Sequence, residues 1–299
     1  MAANLKEVRE RIKSVISTQQ ITKAMKMVSA AKLRRAQQAI VEMRPYANRL
    51  NVMLGNVLAN TQGDFNSEFG KQREINRVCL VLVTSSKGLC GAFNTNIIKA
   101  LTARINGKYA EHYAAGKVTV VCIGKRGYDF ARKHFAKATI VNDYVDLFSD
   151  LTFEATEKVA SGIMDKFAGG DFDVVEVAYG QFKNAGTQFP MVDTYLPVLS
   201  THEPKDGKKQ SRADYLFEPD QVTLLDHLIP SILRTTFFKY LLDTHASEHG
   251  ARMTAMDKAT ENAEDLLKEL KISYNKARQE AITRELSEIV GGAAALESA

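Results

Sequence analysis

The stretch LDTHASEHGARMTAMDKATENAEDLLKELKISYNKARQEA, residues 242–281, decides the architecture of this chain. Its positions Leu242, Ala246, His249, Met253, Met256, Thr260, Ala263, Leu267, Leu270, Tyr274, Ala277 and Ala281 alternate strictly between steps of four and three. That is the seam of a helix paired with another helix. After Ala281 the phase shifts by one, to Ile282, Leu286, Ile289, Ala293 and Leu296. The helix is expected to start between Pro219 and Pro230 and to run to about Val290, close to 100 Å at ~1.5 Å per residue.

Its partner is expected at the other end of the chain. Residues 3–58 hold no glycine before Gly55 and one proline, Pro45, so they read as one helix of roughly 80 Å. Three apolar stretches recur at spacings of three and four: Leu5, Val8, Ile12, Val15; then Ile21, Ala24, Val28, Ala31; then Ala36, Ala39, Met43, Tyr46, Leu50, Met53, Val57. Phase slips separate them. The two helices are expected to form a long antiparallel coiled coil, with Leu5 near the far end of the second helix and Met25 opposite residues 274–279. Its seam is rich in Ala, Thr and Met, so the apolar stripe is thin and further partners are needed.

Between the helices the period changes. RVCLVLVT (77–84), KVTVVCIG (117–124), TIVNDYV (139–145), FDVVEVAYG (172–180) and MVDTYLPVL (191–199) are strand-like, with helical stretches near 96–113, 128–135 and 153–167. The pattern predicts an α/β domain with a mainly parallel, Rossmann-like sheet. The expected division is residues 1–60 as N-terminal helix, 75–215 as α/β domain and 220–296 as C-terminal helix. Polar linkers are expected at 62–74 and 200–214.

Residues 1–58 carry eleven Lys or Arg against three Glu, while the whole chain is only +5, so the remainder is net acidic. This asymmetry calls for an acidic or polyanionic partner at the N-terminal end. The longest apolar run with strand character, 78–83, is far short of the ~20 residues of a membrane span. The basic N-terminus carries Glu7 and Glu10 and reads as mature protein rather than a leader. Cys79, Cys90 and Cys122 are widely spaced, which suggests neither disulfides nor a zinc site and fits a reducing compartment.

The loop TSSKGLCGAFNTNI (84–97) follows a strand and opens a helix, where glycines such as Gly88 and Gly91 can cradle phosphate. It lacks both the Walker and the dinucleotide spacing, as does GKRG at 124–127, so a structural or partner-contact turn is the reading here. His245 and His249 form an i, i+4 pair without the order of a metal-binding helix, and packing explains them better. No cofactor is expected. A basic coiled-coil adaptor for nucleic acid or a membrane surface is the alternative, but it lacks a one-faced basic stripe interleaved with aromatics.

Four segments carry a family resemblance: IKSVISTQQITKAMKMVSAAKLRRAQ (12–37), GLCGAFN (88–94), SEHGARMTAMDKATENAEDLL (247–267) and ARQEAITRELSEIVGGAAAL (277–296). They resemble the hallmark segments of the γ subunits of F-type ATP synthases, in order and across the whole chain. That family usually has an acidic residue where this chain has Ser86. The plastid insertion bearing a redox dithiol is absent.

The resemblance implies a non-catalytic central-stalk subunit, one copy per complex, standing in a hexamer of α and β subunits. Its other partners would be ε and the ring of c subunits, on the cytoplasmic face of a bacterial inner membrane. It further implies that Arg252, Gln279, Thr283 and Glu285 contact β and couple rotation to it. Lys23, Lys26, Lys32, Arg34 and Arg35 would face acidic β surfaces, with Met25 among them, and Gly88 and Gly91 would belong to a partner-contact loop.

Overall fold

A computed structural model describes residues 5–60, 68–70, 73–198 and 221–297. Helix α1 runs Leu5–Asn60 and helix α6 runs Gln221–Glu297. Pro45 and Pro230 both lie inside these helices, and α6 begins at Gln221, within the expected interval. The expected linker at 200–214 and most of that at 62–74 fall outside the described residues.

Two compact units result. One joins Met1–Ser29 with Met253–Ala299, and the other is Ala30–Arg252, which takes in the inner halves of both long helices together with the sheet.

The larger unit holds β1 (Val78–Val83), α2 (Phe93–Gly107), α3 (Ala110–Ala114), β2 (Val118–Ile123), α4 (Lys125–His134), β3 (Thr139–Val141), α5 (Phe153–Ala168), β4 (Val174–Asn184) and β5 (Thr187–Leu196). The strand order is β3-β2-β1-β4-β5. All pairs are parallel except β4–β5. Strand β1 is buried throughout, as a central parallel strand with helices on both faces must be. On one face Leu80 and Leu82 pack with Ile97 and Leu101 of α2. On the other, Val81 and Val83 pack with α5, with Leu50 of α1 and with Ile229, Phe237 and Leu241 of α6. The Thr152 hydroxyl caps α5 by accepting the Ala155 N–H at 3.2 Å.

Strand β3 is shorter than expected, three residues, while β4 and β5 extend through Gln181–Asn184 and Thr187–Pro190 into a hairpin. The Asn184 side chain closes its turn by accepting N–H bonds from Gly186 and Thr187.

In the smaller unit the helices pair antiparallel. Arg9 Nη2 donates to Tyr274 Oη at 2.8 Å, the Thr22 and Thr260 hydroxyls meet at 2.8 Å, and Lys26 Nζ pairs with Asp257 Oδ1. The three contacts share one register, which corrects two expectations. Tyr274 faces Arg9, not Met25; Met25 falls opposite Asp257 and Lys258. The helix ends are not flush, because Leu5 falls opposite Arg278 and residues 279–297 of α6 run past the start of α1.

A further correction concerns the seam of α1. Ile21 and Val28 are exposed, 60% and 58%, and Ala24 and Ala31 are exposed too. Half-buried or buried positions instead include Val15, Gln19, Thr22, Lys26, Ser29, Leu33, Ala36 and Ile40, an unbroken alternation of four and three. No phase slip exists. Polar residues hold the seam here because Thr260 and Asp257 across it satisfy them, so apolarity alone pointed to the wrong face.

Candidate functional site

Doubly wound sheets hold ligands beyond the C-terminal ends of their strands, at the point where successive connections diverge. Here β2 and β3 lie on one side of β1 and β4 on the other, so that point lies between β1 and β4. The chain's own helix α6 fills it. Gly180 of β4 donates its N–H to Thr244 Oγ1 at 3.2 Å, and Ser247 Oγ donates to the Gly180 carbonyl at 3.0 Å. Arg252 Nη2 donates to the carbonyls of Lys87 and Gly88 at 3.0 and 3.2 Å.

The loop that Arg252 holds is internally braced. Asn94 accepts the Ser85 N–H and donates to Ser85 Oγ at 2.7 Å, and Ser85 Oγ donates to the Lys87 carbonyl at 2.7 Å. Gly124 closes the loop's far side at φ +97°. A side chain there would put its Cβ 2.0 Å from the Thr84 carbonyl oxygen, so only glycine lets α4 start this close to β1. The brace displays Leu89 in the left-handed region, φ 62°, with its side chain 63% exposed. Gly91, also left-handed, leads into α2.

Behind the loop lies a buried polar cluster on α6. Arg252 pairs with Glu248 at 2.7 Å and approaches His249 Nδ1 at 3.3 Å; His249 and His245 meet through their Nε2 atoms at 3.1 Å, and His245 stacks on Phe148. Among the described residues no group of three or more His, Cys, Asp or Glu is arranged to hold a metal ion. Burial, reinforced by His245, Arg252 and Lys32, pulls His249 down to about 3. Burial, with Lys32 and Arg252, pulls His245 down to about 4. Burial raises Glu248, against the opposing pull of Arg252. Asp243 lies one helical turn away in a cleft of about 780 Å³ that Arg44 and Lys239 also line, and burial raises it to about 6.

These shifts fix a sign. A histidine with a depressed folded pKa leaves stability intact above its unfolded value near 6.5 and subtracts from it as pH falls. Asp243 and Glu248, both raised, act in the opposite sense. A comparison of the wild type with His249→Gln cancels the carboxyl contributions. The stability advantage of the wild type over this variant is expected to shrink by about 2 kcal/mol between pH 6.5 and 5, at ~1.4 kcal/mol per pKa unit. Denaturant unfolding at the two pH values measures it; an advantage that stays constant would mean His249 is already solvated.

The structure brings Gly88 and Arg252 together and joins Lys26 to Asp257. Met25 is half-buried beside that ion pair. Lys23, Arg34, Arg35, Gln279, Thr283 and Glu285 are exposed. Sequence reasoning missed Thr244, Ser247 and Asp257, whose partners are remote in sequence. It also missed Glu176, which lies 0% exposed inside β4 and is met by Arg104, Lys108 and the Tyr109 hydroxyl. A carboxylate between the valines of VVEV, 174–177, was the available signal.

A doubly wound sheet whose ligand crevice is filled by the chain's own helix α6 defines the class. Comparison with known proteins agrees. A family model described as ATP synthase matches residues 4–296. The chain is 48% identical over 295 residues to the ATP synthase gamma chain of Cytophaga hutchinsonii and 50% identical over 295 residues to that of Flavobacterium psychrophilum, covering 99% of each chain in both cases. In fold it is similar to a chain of the Euglena gracilis mitochondrial ATP synthase rotor, TM-score 0.64 at 22% identity, covering 93% of this chain and 98% of that one. A second chain, from the OSCP/F1/c-ring assembly of the same enzyme, gives TM-score 0.67 at 21% identity, covering 98% and 95%. The chain belongs to the ATP synthase gamma chain family.

Proposed function

We propose that this chain is the central-stalk rotor of an F-type ATP synthase, coupling proton translocation to ATP synthesis or hydrolysis at β subunits by rotation. The observation that carries this reading is the near-half identity, over the full length, to ATP synthase gamma chains. The fold supports it, because α6 occupies the place where a sheet of this kind would hold a small molecule. The chain therefore contributes asymmetry rather than catalytic groups. A shaft that shows a different side to each of three chemically identical β sites biases each toward a different conformation, and turning the shaft exchanges them.

The surfaces fit such a role. Beyond Ala281 the described side chains of α6 are all exposed, including Ile282, Leu286, Ile289 and Val290, and this end also carries Thr283 and Glu285. On α1, Ile21 and Val28 stand outward beside Lys23 and Arg35. We assign these faces to the α and β subunits, and the loop at Gly88 and Gly91, which the buried Arg252 holds from behind, to a further β contact. The partners at the sheet end are ε and the c-ring. No described helix is long and apolar enough to cross a membrane, and the reading places the chain peripherally, on the cytoplasmic face of a bacterial inner membrane.

Met25→Lys tests the coupling role. The new ammonium would stand beside the Lys26–Asp257 pair, pushed outward by its neighbour's charge, and would snorkel toward an acidic β surface. An added charge-assisted bond of about 1–2 kcal/mol is comparable with the biases that separate conformational states. Hydrolysis is expected to continue while the protons pumped per ATP fall. The measurement pairs ATP hydrolysis with ATP-driven acidification on the same vesicles, after mass spectrometry of the native assembly has fixed its subunit stoichiometry. A proportional fall in both activities would refute coupling at this position.

A further inference from the structure

The hydrophobic seam of the smaller unit is thin, with Ile12, Val15, Met253, Leu267 and Leu270 only half-buried. Among its described residues the buried hydrophobic side chains are Val8, Met256 and Ala263, and Thr22 and Ser29 are buried with them. Burial of so little apolar area leaves the pairing weak at ~25 cal/mol per Å². The directional contacts that span the helices are polar: the Arg9–Tyr274 bond near the start of α1, then Thr22–Thr260 and Lys26–Asp257 one turn apart.

Each threonine has one proton and a carbonyl of its own helix within reach, Met256 O at 2.7 Å from Thr260 and Gln19 O at 3.0 Å from Thr22. Whichever hydroxyl donates across the seam, the other accepts and passes its own proton to its helix. Sliding either helix by a turn would break this relay and bury Thr22 without its cross-helix partner. An apolar seam of Ala and Met tolerates such a slide far better. A polar contact at a seam position costs stability and specifies register.

We propose that Thr22–Thr260 and Lys26–Asp257 are positioning residues that key α1 to α6, so that the two helices turn as one body under torque. The torque-bearing part rests on the rotor reading above; the keying itself does not. The Lys26–Asp257 pair is partly exposed, so its role is geometric more than energetic.

The test uses the assembled complex in vesicles, with the wild type, Thr22→Val/Lys26→Leu, and the charge reversal Lys26→Glu/Asp257→Lys. Hydrogen exchange over residues 5–29 reads the keying, and the ratio of ATP-driven acidification to hydrolysis reads the coupling. The threonine and lysine double variant is expected to exchange at least tenfold faster over 5–29 and to lose at least half of the pumping ratio. The reversal, which keeps the pair, is expected to recover most of both. Unchanged exchange in the double variant overturns the keying. Faster exchange with an unchanged ratio overturns the torque-bearing role. A reversal that fails as badly as the double variant means that Lys26 serves an external partner, which also overturns the proposal. A wild-type complex that hydrolyses ATP without acidifying the vesicles would count against the rotor reading and leave the exchange result standing.

Discussion

Arg252→Ala is expected to destabilise the sheet-bearing unit by about 3–5 kcal/mol, because it strands a buried carboxylate. Glu248 and Arg252 are each nearly inaccessible, and they pair at 2.7 Å. Without the guanidinium, Glu248 keeps its burial and loses the charge that offsets it, while the Lys87 and Gly88 carbonyls lose their donor. Arg252→Lys should recover only part of the loss, since one ammonium cannot reach the carboxylate and both carbonyls at once. Removing both charges, as Arg252→Met/Glu248→Leu, should be milder than Arg252→Ala alone. Denaturant titration of the three variants checks the order; a double variant worse than the single would show that the loop contacts, and not the stranded charge, dominate.

A comparable loss is expected from Arg104→Met/Lys108→Met, again about 3–5 kcal/mol. Glu176 sits inside the sheet, with Arg104 Nε at 3.0 Å, Lys108 Nζ at 2.8 Å and the Tyr109 hydroxyl donating at 2.8 Å. The three groups differ in exposure. The two cations retain partial access to water, whereas the carboxylate has none. Deleting the cations strands Glu176. Deleting Glu176 lets them turn to solvent and orphans only the Tyr109 hydroxyl, at about 1–3 kcal/mol. Glu176→Gln in the background of the double substitution should therefore restore stability. Thermal melts of the double and triple variants decide it, and a triple variant no more stable than the double would place the loss in packing instead.

The legibility of the fold follows from where its information sits. The seam of α6 from Leu242 to Ala281 stands in the sequence because its partners are local in period, and the observed burial at Leu242, Ala246, His249, Met256 and Ala263 follows it. The α1 seam between Gln19 and Ser29 was illegible to an apolar count. Its polar side chains are satisfied by Asp257 and Thr260, more than 230 residues away. Strands β1, β2 and β4 were marked by β-branched runs, but the hairpin extension through Gln181 and Phe189 was not, because its alternation is polar and it stands at the sheet edge. The glycine loop was recognisable as a strand-to-helix turn. That α6 fills the crevice behind it depends on the Thr244, Ser247 and Arg252 contacts to Gly180, Lys87 and Gly88, which no spacing rule connects.

The pairing of the first helix with the last has a consequence for biosynthesis. Arg9 meets Tyr274 across 265 residues of chain. At ~5–20 residues per second of translation, α1 waits on the order of tens of seconds for its partner to leave the ribosome. During that interval Ile21 and Val28, and the face later covered by α6, stand in water on a segment whose eleven basic side chains are its main safeguard against self-association. The sheet can form before synthesis ends. The smaller unit cannot, so premature termination before Met256 would release a chain with a folded sheet and an unpaired N-terminal helix.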